Sequence, residues 1–188
     1  MNGVLVVDKP AGPTSHDVVA RTRRAIGVSR IGHTGTLDPL ATGVLPLVVG
    51  RATRLARFLT IDEKEYVAGV RLGSATATYD AEDRVIRDPD GGPILLKPVP
   101  GASVGEEQFR EVLPEFSGTY WQVPPPFSAK KIGGTPAYLY ARLRKEVEVR
   151  PVKVTVRELD VLEYANGLAK VRVVCSSGFY VRSLAHDI

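Results

Sequence analysis

The chain has 188 residues, 44% hydrophobic and 24% charged, with a net charge of +4 and one cysteine. That composition belongs to an ordinary globular chain able to bury one sizeable core or two small ones, and the lone Cys175 excludes an intrachain disulfide. No apolar stretch approaches a membrane span, and Asp8 and Lys9 interrupt the first apolar run too early for a secretory signal, so a cytoplasmic protein is expected.

Val4–Val7 reads as a short buried strand, followed by a turn over Lys9-Pro10-Ala11-Gly12-Pro13. Thr14 or Ser15 can cap a helix that runs to about Ile26 and stops at Gly27, with Val18, Val19, Thr22 and Ile26 on its inward face. A loop follows, then a buried strand over Val44–Val49. Gly50 leads into a helix, about 51–61, with an apolar stripe of Leu55, Phe58 and Leu59 and with Arg51 and Arg54 projecting together. Residues 1–60 carry eight Lys and Arg against Asp8, Asp17 and Asp38, a net of +5, while the remainder holds 17 basic and 18 acidic residues. The excess charge thus sits in the first third. It suits a polyanionic partner; a merely solvated basic face is the alternative.

Residues 65–72 alternate as a strand with Tyr66, Ala68, Val70 and Leu72 on one face, and 73–83 are turn-rich. Residues 84–104 are rich in Pro and Gly without period and read as a surface insertion. A helix over 106–113 is expected to start from Ser103, and a strand over 118–123 ends at Pro124-Pro125-Pro126. Pro136 can open a short helix, 137–145. The last strands, 152–164 and 168–175, meet at Asn166-Gly167, the clearest hairpin signal in the chain, and 178–188 turn helical. The fold class is α+β: a mixed, mostly antiparallel central sheet with flanking helices.

The stretch from Arg30 to Leu45 reads as a loop that presents chemistry: Gly32, Gly35, Gly43 and Pro39 sit among hydroxyl residues with no sustained apolar period. Within it only His33 and Asp38 suit acid–base, nucleophilic or metal work. Asp38 wears an apolar collar of Leu37, Pro39 and Leu40, which either buries the acid or demands a cationic partner. The plainer reading is an Asp-Pro turn with its carboxylate on nearby backbone N–H groups. His16, His33 and His186 show no ligand pairing and Cys175 is alone, so no metal is expected. Without a GxGxxG or phosphate loop, no nucleotide cofactor is expected either.

Gly32-His33-Thr34-Gly35-Thr36-Leu37-Asp38-Pro39 with Ala41-Thr42-Gly43-Val44-Leu45 resembles the catalytic-aspartate motif of the TruB family, bacterial tRNA pseudouridine-55 synthases related to the catalytic subunit of guide-RNA pseudouridylation complexes. Asp8-Lys9-Pro10-Ala11-Gly12-Pro13-Thr14-Ser15 resembles the family's first motif, Lys64-Glu65-Tyr66 its tyrosine motif, and Ser177-Gly178-Phe179-Tyr180-Val181-Arg182-Ser183-Leu184-Ala185 its tyrosine–arginine motif. The resemblance runs from Val4 to the last residue. One departure is the segment Asp80-Ala81-Glu82-Asp83, where the family often has Asp-x-x-Gly.

The resemblance implies a pseudouridine synthase catalytic fold over 1–188 and isomerisation of uridine in the T-arm loop of tRNA, with no cofactor, no metal, no membrane and a monomeric enzyme. It implies Asp38 as nucleophile, Arg182 as the cation that keeps Asp38 ionised, and Tyr66 as the ring that stacks the flipped uracil, with its hydroxyl available to the C5 proton. Tyr180 becomes a pocket wall and Leu184 its apolar closure. His33 contacts RNA, Asp80 contacts an RNA loop, and Lys130 and Lys131 meet phosphates. Lys9 touches substrate or, with Pro10, supports the Asp38 loop; a plain surface lysine is the alternative. Family members continue past Ile188 and usually add a PUA-type RNA-binding domain, so a C-terminally truncated chain lacking that domain is expected. The rival readings are a guide-RNA-dependent synthase subunit, a non-catalytic RNA-binding module or RNA chaperone, and a metal-dependent nuclease, which would need acidic clusters that the basic first third lacks.

Overall fold

Local rules account for the first elements of the computed structural model, which describes residues 1–60, 62–81, 104–143, 145 and 148–188. The chain divides into two units, Met1–Ile61 and Asp62–Ile188.

The first unit runs β1 (Gly3–Lys9), α1 (Ser15–Ile26), β2 (Ile31–His33), β3 (Gly43–Val49), a 3-10 turn over Gly50–Leu55 and α2 (Ala56–Leu59). α1 begins where its capping chemistry dictates. Thr14 is the N-cap: its hydroxyl accepts from the Asp17 N–H at 3.1 Å, and the Thr14 N–H donates to the Asp17 carboxylate at 2.9 Å. These bonds hold the Asp17 carboxyl below the usual range. Gly27, left-handed, ends the helix. β3 is the central strand, antiparallel to β1 and to β2. Leu45, Leu47 and Val49 of β3 alternate onto one face and form a core with Ile31 of β2 and Val18 and Val19 of α1.

Three details depart from the sequence reading. Val4, Leu5 and Val6 of β1, read as buried, are exposed. β2 has only three residues, inside the stretch read as loop; the open edge of β3 recruits it, and no period can show over so short a run. The region after Gly50 is a 3-10 turn and a four-residue α-helix rather than one helix, and Leu55, Phe58 and Leu59 are all exposed. The tighter 3-10 winding aligns residues three apart, so exposed Arg51, Arg54 and Arg57 follow one another at that spacing.

The second unit runs β4 (Glu63–Arg71), α3 (Glu106–Val112), a 3-10 turn over Leu113–Phe116, β5 (Gly118–Gln122), β6 (Lys131–Ile132), β7 (Thr135–Pro136), α4 (Ala137–Arg142), β8 (Val152–Ala165), β9 (Leu168–Ser176) and α5 (Val181–Asp187). β4, β9, β8 and β5 form one antiparallel sheet in that order. Asn166 (φ 51°) and Gly167 (φ 72°) both take positive φ, which makes the β8–β9 connection the type I′ turn its dipeptide announces. β4 alternates as read, with Tyr66, Ala68 and Val70 turned toward the core clusters and Glu65 and Val67 exposed. On the outer face Arg172 bridges Glu65, Glu158 and Asp160, which keeps the Glu65 carboxyl low. α3 starts at Gly105, whose N–H donates to the Gln108 side chain at 2.9 Å, two residues after the expected Ser103.

The antiparallel α+β expectation holds, with β1, β3 and β2 around one buried cluster in the first unit and, in the second, the four-stranded sheet with two buried clusters and a separate β6–β7 pair. The surface insertion read at 84–104 lies, apart from Val104, outside the described residues. No helix among the described residues is long and apolar enough to cross a membrane.

Gly50 shows how tightly the first unit closes. It sits at φ +64°, and a Cβ there would lie 2.3 Å from the Met1 carbonyl oxygen and 2.3 Å from Asn2 Oδ1. Gly50→Ala is expected to cost about 2 kcal/mol or more from the left-handed backbone and the collision together, lowering Tm by about 4–8 °C; thermal unfolding unchanged within a degree would contradict this close approach.

Candidate functional site

The Asp38 loop lacks regular structure after His33, so its polar backbone must find partners elsewhere. It finds them in side chains. Lys9, at the end of β1, is wholly buried, and its ammonium donates to the carbonyls of Pro10 (3.1 Å), Pro39 (3.0 Å) and Ala41 (2.6 Å). The Gly12 N–H adds a second bond to the Pro39 carbonyl at 2.8 Å. On the other side of Asp38, Ser15 Oγ donates to the Leu37 carbonyl at 3.0 Å and accepts from the Leu37 N–H at 2.9 Å. The Ala41 N–H closes a turn onto the Asp38 carbonyl at 3.1 Å, and Thr34 N–H reaches the Pro46 carbonyl at 3.2 Å. Half-buried Asp38 is therefore flanked by two residues fixed to the rest of the unit.

Lys9 is thus not a surface lysine: with no exposure, it ties the end of β1 to the loop through these carbonyls. His33 ends β2 and is half-buried. Burial pushes its imidazole below the usual range, and His16 adds to that, so it is neutral at pH 7.

In the second unit Tyr66 projects from β4 against the cluster of Val154, Val156, Val173, Cys175, Phe179 and Leu184. Burial in this cluster pushes the Cys175 thiol up to about 12, which makes it inert as a nucleophile. Leu184 is fully buried and belongs to the core, not to a pocket wall open in this structure. Tyr180 is the N-cap of α5, and its backbone is locked by buried Gln122: the Tyr180 N–H donates to Gln122 Oε1 at 2.8 Å, and Gln122 Nε2 donates to the Tyr180 carbonyl at 3.0 Å. The next residues continue the stitching. Arg182 Nη1 donates to the Thr78 carbonyl (3.0 Å), and Nη1 and Nη2 both reach the Phe127 carbonyl (3.1 Å each). Buried Ser183 donates to the Val123 carbonyl at 2.7 Å.

Arg182 thus brings the Thr78–Asp80 turn to α5. In that turn Thr76 and Thr78 hydroxyls converge on the Asp80 carbonyl, and Tyr79 takes a left-handed φ of 61°. Tyr79 also stacks on His186 of α5, with ring centroids 3.6 Å apart. Lys130 and Lys131 are exposed beside the β6–β7 hairpin, whose Gly133-Gly134 turn was a readable signal that the sequence reading passed over. Gln122, Ser183 and Ser15 were missed as well. The strand period gave a hint for Gln122, an isolated amide before the triple proline; no local signal marks the two serines. Among the described residues no group of three or more His, Cys, Asp or Glu could hold a metal ion.

With this geometry in place, comparison with known proteins is decisive. A family model described as TruB family pseudouridylate synthase (N terminal domain) matches residues 23–181. The chain belongs to this family. The tRNA pseudouridine synthase B of Solibacter usitatus is 46% identical over 188 residues, covering all of this chain and 61% of that protein. Its counterpart from Aquifex aeolicus is 43% identical over 194 residues, covering 62% of that protein. The chain thus spans about three-fifths of the length of these TruB relatives. Among solved structures, a subunit of a Cbf5-Nop10-Gar1 complex aligns with 98% of this chain and 43% of its own, at 32% identity and TM-score 0.67. A chain from an H/ACA RNP bound to a substrate RNA containing 2'-deoxyuridine aligns at 30% identity and TM-score 0.63.

Two outcomes check this site. Lys9→Met takes this donor from the Pro10 and Ala41 carbonyls, while Pro39 keeps the Gly12 N–H, and is expected to cost about 2–4 kcal/mol in urea unfolding; a change under about 0.5 kcal/mol would mean water replaces the ammonium. His33 binds its proton less readily folded than unfolded, so it costs stability as pH falls below its unfolded value of 6.5 toward its lowered folded one. Stability measured across that window should fall less steeply in His33→Gln than in the wild type; identical slopes would sink the assignment.

Proposed function

We propose that this TruB family chain carries the chemistry that converts uridine to pseudouridine in tRNA, at uridine 55 of the T-arm loop, with Asp38 as the nucleophile. The observation that carries the reading is the double anchoring of the Asp38 loop, Leu37 by Ser15 and Pro39 by Lys9 and Gly12. A carboxylate on a fixed backbone approaches one point in space, which is what a covalent catalyst requires. In the reaction the bond between N1 and the ribose C1′ breaks, a bond from C1′ to C5 forms, the C5 proton leaves and N1 takes up a proton, so the product is an isomer of the substrate. No electron is gained or lost overall.

Tyr66 is the proposed stacking surface for the flipped base, a contact worth about 1–3 kcal/mol against the cost of unstacking. Tyr180 is proposed as a pocket wall, and His33, Asp80, Lys130 and Lys131 as RNA contacts. The exposed Arg51, Arg54 and Arg57 supply positive charge suited to phosphates. The bacterial relatives at 42–46% identity support a stand-alone tRNA enzyme over a guide-RNA-dependent subunit, whose solved relatives reach 30–32%.

The test is tritium release from tRNA carrying 5-tritiated uridine, using the native gene product that contains this chain. Release should fall by about three orders of magnitude or more in Asp38→Asn and persist in chelator. Release undiminished in Asp38→Asn would reject Asp38 as the nucleophile, release abolished by chelator would favour a metal-dependent enzyme, and no release from the wild type despite tRNA binding would favour an RNA-binding module.

A further inference from the structure

Ser15 opens α1, yet its hydroxyl does not serve that helix. Thr14 performs the capping, through its reciprocal bonds with Asp17. Ser15 Oγ instead takes both polar backbone groups of Leu37, 22 positions away, accepting from the N–H at 2.9 Å and donating to the carbonyl at 3.0 Å. One hydroxyl does here what a neighbouring strand would do over one rung. Ser15 is 2% exposed, so water competes for neither bond. The adjacent pair Thr14-Ser15, equivalent as caps by residue type, divides into one residue for the helix and one for the loop.

Leu37 immediately precedes Asp38. Holding both its N–H and its carbonyl fixes the plane of the peptide that leads into Asp38. On the far side Pro39 is fixed through its ring and through the bonds to its carbonyl from Lys9 and Gly12. Between the two anchors lie the torsions of Asp38, whose carbonyl the Ala41 N–H also holds at 3.1 Å. The Ser15 anchor is rigid because it rides on α1, whose Val18 and Val19 lie in the core of the unit. A hydroxyl on a loop of its own would hold Leu37 no better than the loop holds itself.

We propose that Ser15 is a positioning residue for the Asp38 carboxylate, coupling the start of α1 to the reacting group through the Leu37 backbone. This rests on the catalytic role proposed for Asp38. Losing the anchor shifts the carboxylate without altering its chemistry or the binding of RNA. Such displacements act on turnover, and one of about 1 Å can cost on the order of 100-fold.

The experiment measures kcat and KM for tritium release, with Tm alongside, in Ser15→Ala, Ser15→Thr, Thr14→Ala and Asp38→Asn of the native gene product. Ser15→Ala is expected to lower kcat by about 10- to 100-fold with KM within about twofold. Ser15→Thr keeps the Oγ and should recover most of that loss. Thr14→Ala weakens the same helix start without touching Leu37, so it should lower Tm and leave kcat unchanged. Wild-type kcat in Ser15→Ala, or an equal kcat loss in Thr14→Ala, overturns the inference. Full turnover in Asp38→Asn removes the catalytic reading and the inference with it, whereas a dead Asp38→Asn beside a fully active Ser15→Ala removes only the inference.

Discussion

The first unit depends on one buried cation. An ammonium taken out of water is costly unless its protons are used, and Lys9 donates to three carbonyls, of which only Pro39 has a second donor, the Gly12 N–H, in the bonds described above. The arrangement solves two problems of opposite sign in one place. The end of β1 contributes the donor; the turn at Pro10 and the loop at Pro39 and Ala41 contribute the acceptors. Because neither side is satisfied without the other, the strand end and the loop order together. Lysine suits the position better than arginine, since a compact head with three divergent donors can face three carbonyls at once, whereas a flat guanidinium spreads its donors in one plane.

The second unit uses the same economy of backbone groups with different chemistry. The entrance to α5 is tied down by a buried amide, a guanidinium and a buried hydroxyl, from Gln122, Arg182 and Ser183. All of them serve backbone groups of loops or of the helix start, places where no strand supplies a ladder. The regular elements carry the apolar cores, and single polar side chains carry the irregular segments. The stretch from Thr34 to Thr42 of the aspartate motif is irregular, whereas Lys64-Glu65-Tyr66 lies on β4 and Val181–Ala185 in α5.

That division also decides what was legible in the sequence. α1 was legible to the residue, because capping at Thr14 and termination at Gly27 are local events. The β8–β9 hairpin was legible because Asn-Gly specifies its turn, and β4 because its alternation reports a sheet with one buried face. The three-residue β2 was not, since its pairing is supplied by β3 and leaves no period behind. The exposure of Leu55, Phe58 and Leu59 was not, because an apolar stripe states what a helix could bury and not what is present to bury it. At the candidate site, Asp38 and Tyr66 were found through motif resemblance; the support from Ser15 and Gln122 was invisible, because a hydrogen bond from a side chain to a distant backbone has no spacing rule. Lys9 was left open between loop support, substrate contact and a surface lysine for a related reason. A lysine between aspartate and proline looks solvated, and only the three-dimensional path of the loop shows where its charge goes.

The charge distribution and the loop architecture then answer separate demands. Exposed Arg51, Arg54 and Arg57 offer positive charge without a rigid frame, which is sufficient for phosphates, whose attraction is long-ranged and tolerant of geometry. The carboxylate proposed to meet one carbon atom has no such tolerance. The peptides on either side of Asp38 are held by Ser15, Gly12 and Lys9, and Lys9 is buried on carbonyls where salt and polyanions do not reach it. Placing the flexible charge outside and the satisfied charge inside lets a glycine-rich loop be accessible to a large substrate and still hold its reactive group in one place.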